Sequence, residues 1–153
     1  MRPSQPSKSP ARHSDTKDTR EGSQQAPEGR TVHFWYSGQV PSKSNYRKGG
    51  KDWRKAWSRI KGFETEVGWL AKQAGAVLTE QPAEIYILAR GQRLDLDNIC
   101  KATIDALCGV AIPGDDQRYL VGVHVVRCHR DGEAGIEVSI RYTIHDAVRE
   151  GSA

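Results

Sequence analysis

Ala83-Glu-Ile-Tyr-Ile-Leu-Ala-Arg90 is followed at once by a polar stretch and then by a second apolar segment ending at Gly109. No other feature restricts the fold as much. The first segment, apolar at Ile85 and Ile87 and also at Tyr86 and Leu88, predicts a central strand buried on both faces. Asp97 or Asn98 is a good helix N-cap and Gly109 a good residue just past a helix end. Between them, Ile99, Ala102 and Ala106, with Ile104 and Leu107, supply the apolar contacts of a helix. Tyr119 to Arg127 then reads as a strand, with Tyr119, Val121, Val123 and Val125 on one face. Strand, helix and strand in this order mean helices packed on a sheet.

The flanks extend the pattern. Val32, Phe34 and Tyr36 alternate with Thr31, His33 and Trp35, a first strand. Trp53, Trp57, Ile60, Val67, Ala71 and Ala74 recur at helical spacing, so a helix capped by Asp52 should end at Gly75 with both tryptophans in its core stripe. Ile136, Val138, Ile140, Tyr142 and Ile144 alternate with polar residues, and Asp131-Gly132 before them is a hairpin signal. The expectation is an α/β (mixed α+β) single domain, a four-stranded mixed sheet with two helices in the order β-α-β-α-β-β, over residues 31–145. Residues 1–30 carry four prolines, mixed charge and no aromatic residue, and are expected to be a disordered tail. Residues 146–153 read as a second, frayed tail.

No apolar run approaches the roughly 20 residues of a membrane span. The amino terminus also lacks the apolar core of a signal peptide, so a cytoplasmic protein is expected. Three cysteines without a Cys-x-x-Cys pair fit reduced thiols. Cys128 and His129 near His124 hint at zinc, yet the paired spacing of a structural zinc site is missing.

The chemistry is concentrated between the second strand and the third. Asp95 and Asp97, two apart, leave an extended backbone on the same face. Lys101 is one helical turn beyond Asp97, and Asp115-Asp116 returns toward the sheet after the helix. Carboxylates cluster at a high cost unless a cation lies between them. An all-oxygen set favours Mg2+, with Mn2+ possible. A metal bridging Asp95, Asp97 and one of the last pair, with Lys101 beside it, suits phosphodiester hydrolysis. The same residues also allow blander roles: Asp97-Asn98 as a cap, Lys101 and Asp105 as a surface ion pair, Gly114-Asp115-Asp116 as a turn.

The net charge of +4 says little until it is located. From Pro41 to Lys61 there are eight Lys/Arg against one acid, Asp52. Lys43, Arg47, Lys48, Lys51 and Lys55 are the candidate phosphate contacts of this strip.

The residues Asp95-Leu-Asp97-Asn98-Ile-Cys-Lys101-Ala102, Asp105-Ala106-Leu107 and Asp115-Asp116, together with Val40-Pro41-Ser42-Lys43-Ser44-Asn45, resemble the signature of RusA-family Holliday junction resolvases. The resemblance covers roughly residues 31–145. It implies a homodimeric, magnesium-dependent endodeoxyribonuclease that cuts four-way DNA junctions symmetrically in recombination and repair, often prophage-encoded. On this resemblance Asp95, Asp97 and Asp116 are catalytic and bind metal, and Lys101 is required. The chain departs from the family at Arg118, where a glutamine is usual, and at Leu94, where a basic residue is common. Two other classes compete: a non-catalytic DNA-binding protein that keeps the fold, and a metal-dependent phosphatase, against which the basic strip argues.

Overall fold

The computed structural model describes residues 29–43, 52–129 and 131–143. They form β1 (Thr31–Ser37), α1 (Trp53–Gln73), β2 (Ala83–Arg90), α2 (Leu96–Leu107), β3 (Leu120–Cys128) and β4 (Gly135–Tyr142). This is the expected element order, and the sheet is mixed and four-stranded. No described helix is long and apolar enough to cross a membrane.

The strands lie in the order β1-β4-β2-β3. β4 runs antiparallel to both β1 and β2, while β3 is parallel to β2. The hairpin expected at Asp131-Gly132 is therefore not formed. β4 passes β3 and enters the sheet on the far side of β2, because that slot lets Ile136, Val138 and Ile140 join a sealed core.

Both helices pack on one face. Ile85, Ile87, Val32, Phe34, Val138 and Tyr142 are buried there with Phe63, Val67, Ile99 and Leu107. β2 is central in position but not buried on both sides: Tyr86 is 38% exposed. The opposite face instead carries polar contacts. His124 stacks on Tyr86 at 4.5 Å and bonds Glu84 at 2.8 Å. The apolar side chains there are surface residues of a one-sided sheet, which a run of mixed apolar residues cannot announce.

Helix ends follow their punctuation. Gly75 (φ 96°) and Gly109 (φ 80°) take the left-handed conformation just past α1 and α2. α2 begins earlier than expected, with Asp95 rather than Asp97 or Asn98 at the N-cap position. In α1 the core stripe is Ile60, Phe63, Val67 and Ala71, whereas Trp57 is 44% exposed. Trp57 lies against Lys61, whose ammonium is 4.6 Å from the centre of its ring. In β3 a register irregularity between Ala83 and Glu84 skips Val121, turning it outward and leaving Leu120, Val123 and Val125 toward the core.

Candidate metal centre and nucleic-acid interface

A lattice of side chain to backbone bonds fixes the exit from β2. Gln92 is buried; its Oε1 accepts from the Val40 N–H at 2.8 Å, and its Nε2 donates to the Gly38 carbonyl at 2.7 Å. Gln39 reciprocates, donating to the Gly91 carbonyl at 2.6 Å and accepting from the Arg93 N–H at 3.1 Å. Arg127 on β3 completes the set by donating to the carbonyls of Gln92 and Leu94, both at 2.7 Å. Charge-assisted bonds of this kind are among the stronger ones available to a loop. Gln39, Gln92 and Arg127 are positioning residues that the sequence reading missed. The signal was present as a glutamine at each strand exit and an arginine at an inward position of an apolar strand.

This lattice delivers Asp95 to the head of α2 in an extended conformation (φ −64°, ψ 151°) without a side-chain cap bond. Asp97 lies in the first helical turn, where the helix dipole favours a negative charge. Both are exposed, as is Lys101 one turn further on. Among the described residues, the side chains of Asp95, Asp97 and Lys101 make no hydrogen bond or ion pair. The Lys101–Asp105 surface pair is not formed, since Asp105 is taken by Lys43 at 2.8 Å. Next to Asp97, burial and then the aspartate's charge push the Cys100 thiol up, which works against thiolate formation there.

Asp116 is elsewhere. Its carbonyl accepts from Tyr119 and Leu120, both at 2.9 Å, which places it just before β3. Leu120 pairs with Ala83, at the start of β2, whereas Asp95 follows the end of β2. Seven strand steps separate the two ends, roughly 23 Å. A parallel β-α-β connection always returns the chain to the end from which it started, so the expected meeting of Asp95, Asp97 and Asp116 at one point does not occur within one chain. Among the described residues, no three His, Cys, Asp or Glu are grouped to hold a metal, and this includes the zinc option at His124 and Cys128. The Asp116 carboxylate accepts from the Arg118 backbone N–H at 2.9 Å and its guanidinium at 3.0 Å. The guanidinium bond first, then the backbone bond, hold its pKa below the ordinary carboxylate value. The turn reading of Asp115-Asp116 thus describes its backbone correctly.

The basic strip divides. Arg47, Lys48 and Lys51 lie outside the described residues. Lys55 is exposed on α1 beside Arg54 and Arg59. Lys43 is instead a clamp, bonded to Glu64 of α1 at 2.7 Å and Asp105 of α2 at 2.8 Å and only 22% exposed. Burial opposes its charge, but the bonds to Asp105 and Glu64 prevail and raise its pKa. Burial likewise opposes the charge of Glu64, yet bonds from Lys43 and Lys61 lower its pKa. Lys43→Met should therefore cost about 1–2 kcal/mol in urea unfolding, because it takes the partner from half-buried Asp105 and leaves Glu64 with Lys61 alone. The lowered Glu64 pKa gives stability that is present above its unfolded value and lost as pH falls through the folded one. The wild type should accordingly lose more stability than Glu64→Gln between about pH 6 and pH 3. Parallel losses in the two proteins would contradict the clamp.

Residues 40–141 match the protein family described as Endodeoxyribonuclease RusA. The match takes in two thirds of the chain, including Lys43, Asp95, Asp97, Lys101 and Asp116. No curated protein matches the chain.

Proposed function

The chain belongs to the RusA endodeoxyribonuclease family, and on that premise we propose that it resolves four-way DNA junctions as a magnesium-dependent homodimer acting in recombination and repair. Cleavage of DNA phosphodiester bonds comes with the family; the metal, the dimer and the residue roles are the proposal. One observation carries it: the matched segment contains Asp95 and Asp97, held out at the head of α2 by a dedicated lattice, with no protein partner among the described residues.

The donor set fits a hard divalent cation, because Asp95 and Asp97 offer only oxygen and Asp116 would add more. When bound, magnesium polarises a phosphate oxygen and acidifies a water. The chain does the rest. Asp95 and Asp97 hold the cation at the head of α2, and Gln92 and Arg127 keep their backbone from shifting. Lys101 presents an ammonium one turn along the same helix, where it offsets negative charge that builds on the phosphate during hydrolysis. Asp116 stands at the other end of the sheet, so only a second copy could bring it to the same phosphate. Two such composite sites related by a twofold axis would cut two strands symmetrically.

The test is cleavage of a synthetic four-way junction, compared with linear duplex, with magnesium and with chelator. Magnesium-dependent paired nicks in the junction are expected. Tight junction binding without cleavage would favour the non-catalytic DNA-binding reading. Hydrolysis of a small aryl phosphate without junction cleavage would favour the phosphatase.

For DNA contact we propose Arg47, Lys48, Lys51 and Lys55, with Lys43 anchoring the segment that carries the first three. Changing Arg47, Lys48 and Lys55 together to glutamine should lower the slope of log affinity against log salt by about three. Lys43→Met should lower stability more than slope. An unchanged slope in the triple variant would move the DNA surface away from this strip.

A further inference from the structure

Asp95, Asp97 and Asp116 differ in what already holds them. Asp95 and Asp97 have no side-chain partner among the described residues, whereas both oxygens of Asp116 are bonded to one residue. Its Oδ1 accepts from the Arg118 backbone N–H at 2.9 Å, and its Oδ2 accepts from the Arg118 guanidinium at 3.0 Å. The two bonds have different consequences. The backbone bond, together with the Asp116 carbonyl bonds to Tyr119 and Leu120, fixes the turn against the start of β3. The guanidinium bond only covers Oδ2, and it can be given up without moving the main chain.

Its exposure points the same way. The side chains of Arg118 and Asp116 are 70% and 43% exposed, so water screens the pair and it contributes little. Lys43, which is 22% exposed between Glu64 and Asp105, is a fixed cation by comparison. The guanidinium also lies 5.2 Å from the centre of the Tyr119 ring, a weak hold at so open a site. A planar guanidinium is, moreover, the side-chain cation best shaped for two oxygens of a phosphate.

We propose that Arg118 is an exchangeable cation, covering Asp116 while no metal is bound and passing to a phosphate of bound DNA once a divalent cation takes the carboxylate. This rests on the reading of Asp116 as a metal ligand and adds a conditional DNA contact to it. A guanidinium cannot share Oδ2 with a divalent cation, because both charge and space oppose it. Arg118 remains rooted two residues away, so a phosphate drawn to the same cation lies within its reach. The charge-assisted bond to DNA is therefore made only at a loaded site.

Two measurements on the full-length chain test this. The first needs no metal, since Asp116→Asn imitates its capture. Asparagine keeps an oxygen for the Arg118 N–H but loses the charge that holds the guanidinium. In chelator, Arg118→Gln should leave the salt slope of junction affinity unchanged in the wild-type background. It should lower the slope by about one in the Asp116→Asn background, with circular dichroism unchanged throughout. A loss of about one in both backgrounds would overturn the exchange, because Arg118 would then reach DNA without leaving Asp116. No loss in either would overturn the phosphate contact and leave the freed guanidinium to Glu80, whose charge it already feels. The second measurement is the affinity of the metal-free chain for Mn2+, followed by the resonance of the free ion. Arg118→Gln should bind Mn2+ about two- to fivefold more tightly than wild type, as suits the loss of an exposed competitor. It should bring no gain when Asp116 is already asparagine. A gain that persists there would mean that Arg118 acts at range on the other ligands, and the exchange would fail while the metal site stood. If Asp116→Asn alone binds Mn2+ as tightly as wild type, Asp116 is not a ligand, and the underlying reading fails together with the exchange.

Discussion

Asp97→Asn is expected to bind a four-way junction as tightly as the wild type, or more tightly, and to cut it about a thousandfold more slowly. The amide keeps the shape of the carboxylate and one oxygen but loses the charge that holds a hard cation. Folding should be nearly untouched. Asp97 is exposed, has no side-chain partner among the described residues, and contributes only a first-turn charge to the dipole of α2, worth under about 1 kcal/mol. Binding should persist or improve because a negative charge facing phosphates has been removed. The measurement is a single-turnover rate on a labelled junction, alongside a gel-shift affinity in chelator and a urea melt. A rate within tenfold of wild type would remove Asp97 from the metal site. A parallel fall in melt and rate would make it a structural residue instead.

Gly135→Val should lower stability by about 3 kcal/mol or more, among the larger effects expected of a single change. Gly135 opens β4 and pairs with Ser37 on one side and Arg90 on the other, so its backbone ties three strands together. It is buried, although its side of the sheet is the open one, because the Trp35 ring lies across it. A Cβ there would overlap that ring and the Tyr36 carbonyl oxygen. The ring could swing away only by leaving the Arg90 guanidinium, which packs 5.4 Å from its centre. The carbonyl cannot move without disturbing β1. Urea unfolding of the valine variant should show the loss with an unchanged slope, and truncating Trp35 alongside should recover only part of it. A valine variant as stable as the wild type would mean that β4 can be re-registered at its start.

Local pattern was enough for the elements themselves. Alternation in Ile136 to Tyr142 and the glycines after each helix are read directly from residue chemistry, and the structure keeps them. Three-dimensional adjacency was less accessible. The Asp131-Gly132 turn pointed to a β3–β4 hairpin because local turn chemistry does not encode which side of β2 is free. Trp57 fitted a helical stripe, yet which turns of a helix are covered is a property of the packed molecule. The candidate site shows the same division. Asp95, Asp97 and Lys101 lie within seven residues, with Lys101 one turn beyond Asp97, so their common location was legible. Asp116 is separated from them by a crossover, whose geometry sends it to the opposite end. Lys43 carried the right charge for DNA, but its partners Glu64 and Asp105 come from two different helices.

The position of β4 has a consequence for how the chain can assemble. β1 is the first strand made, and among the described residues its only strand neighbour is β4, the last strand, joined to it in pairs such as Thr31 with Arg141. A chain growing from its amino terminus therefore holds an apolar strand unpaired until nearly the whole domain has been synthesised. The early contacts open to it are the local ones, α1 with its own turns and the β2-α2-β3 unit. Contacts so distant in sequence slow folding and prolong the exposure of strand edges. The sheet is complete only once β4 lies between β1 and β2 and joins the two halves of the molecule.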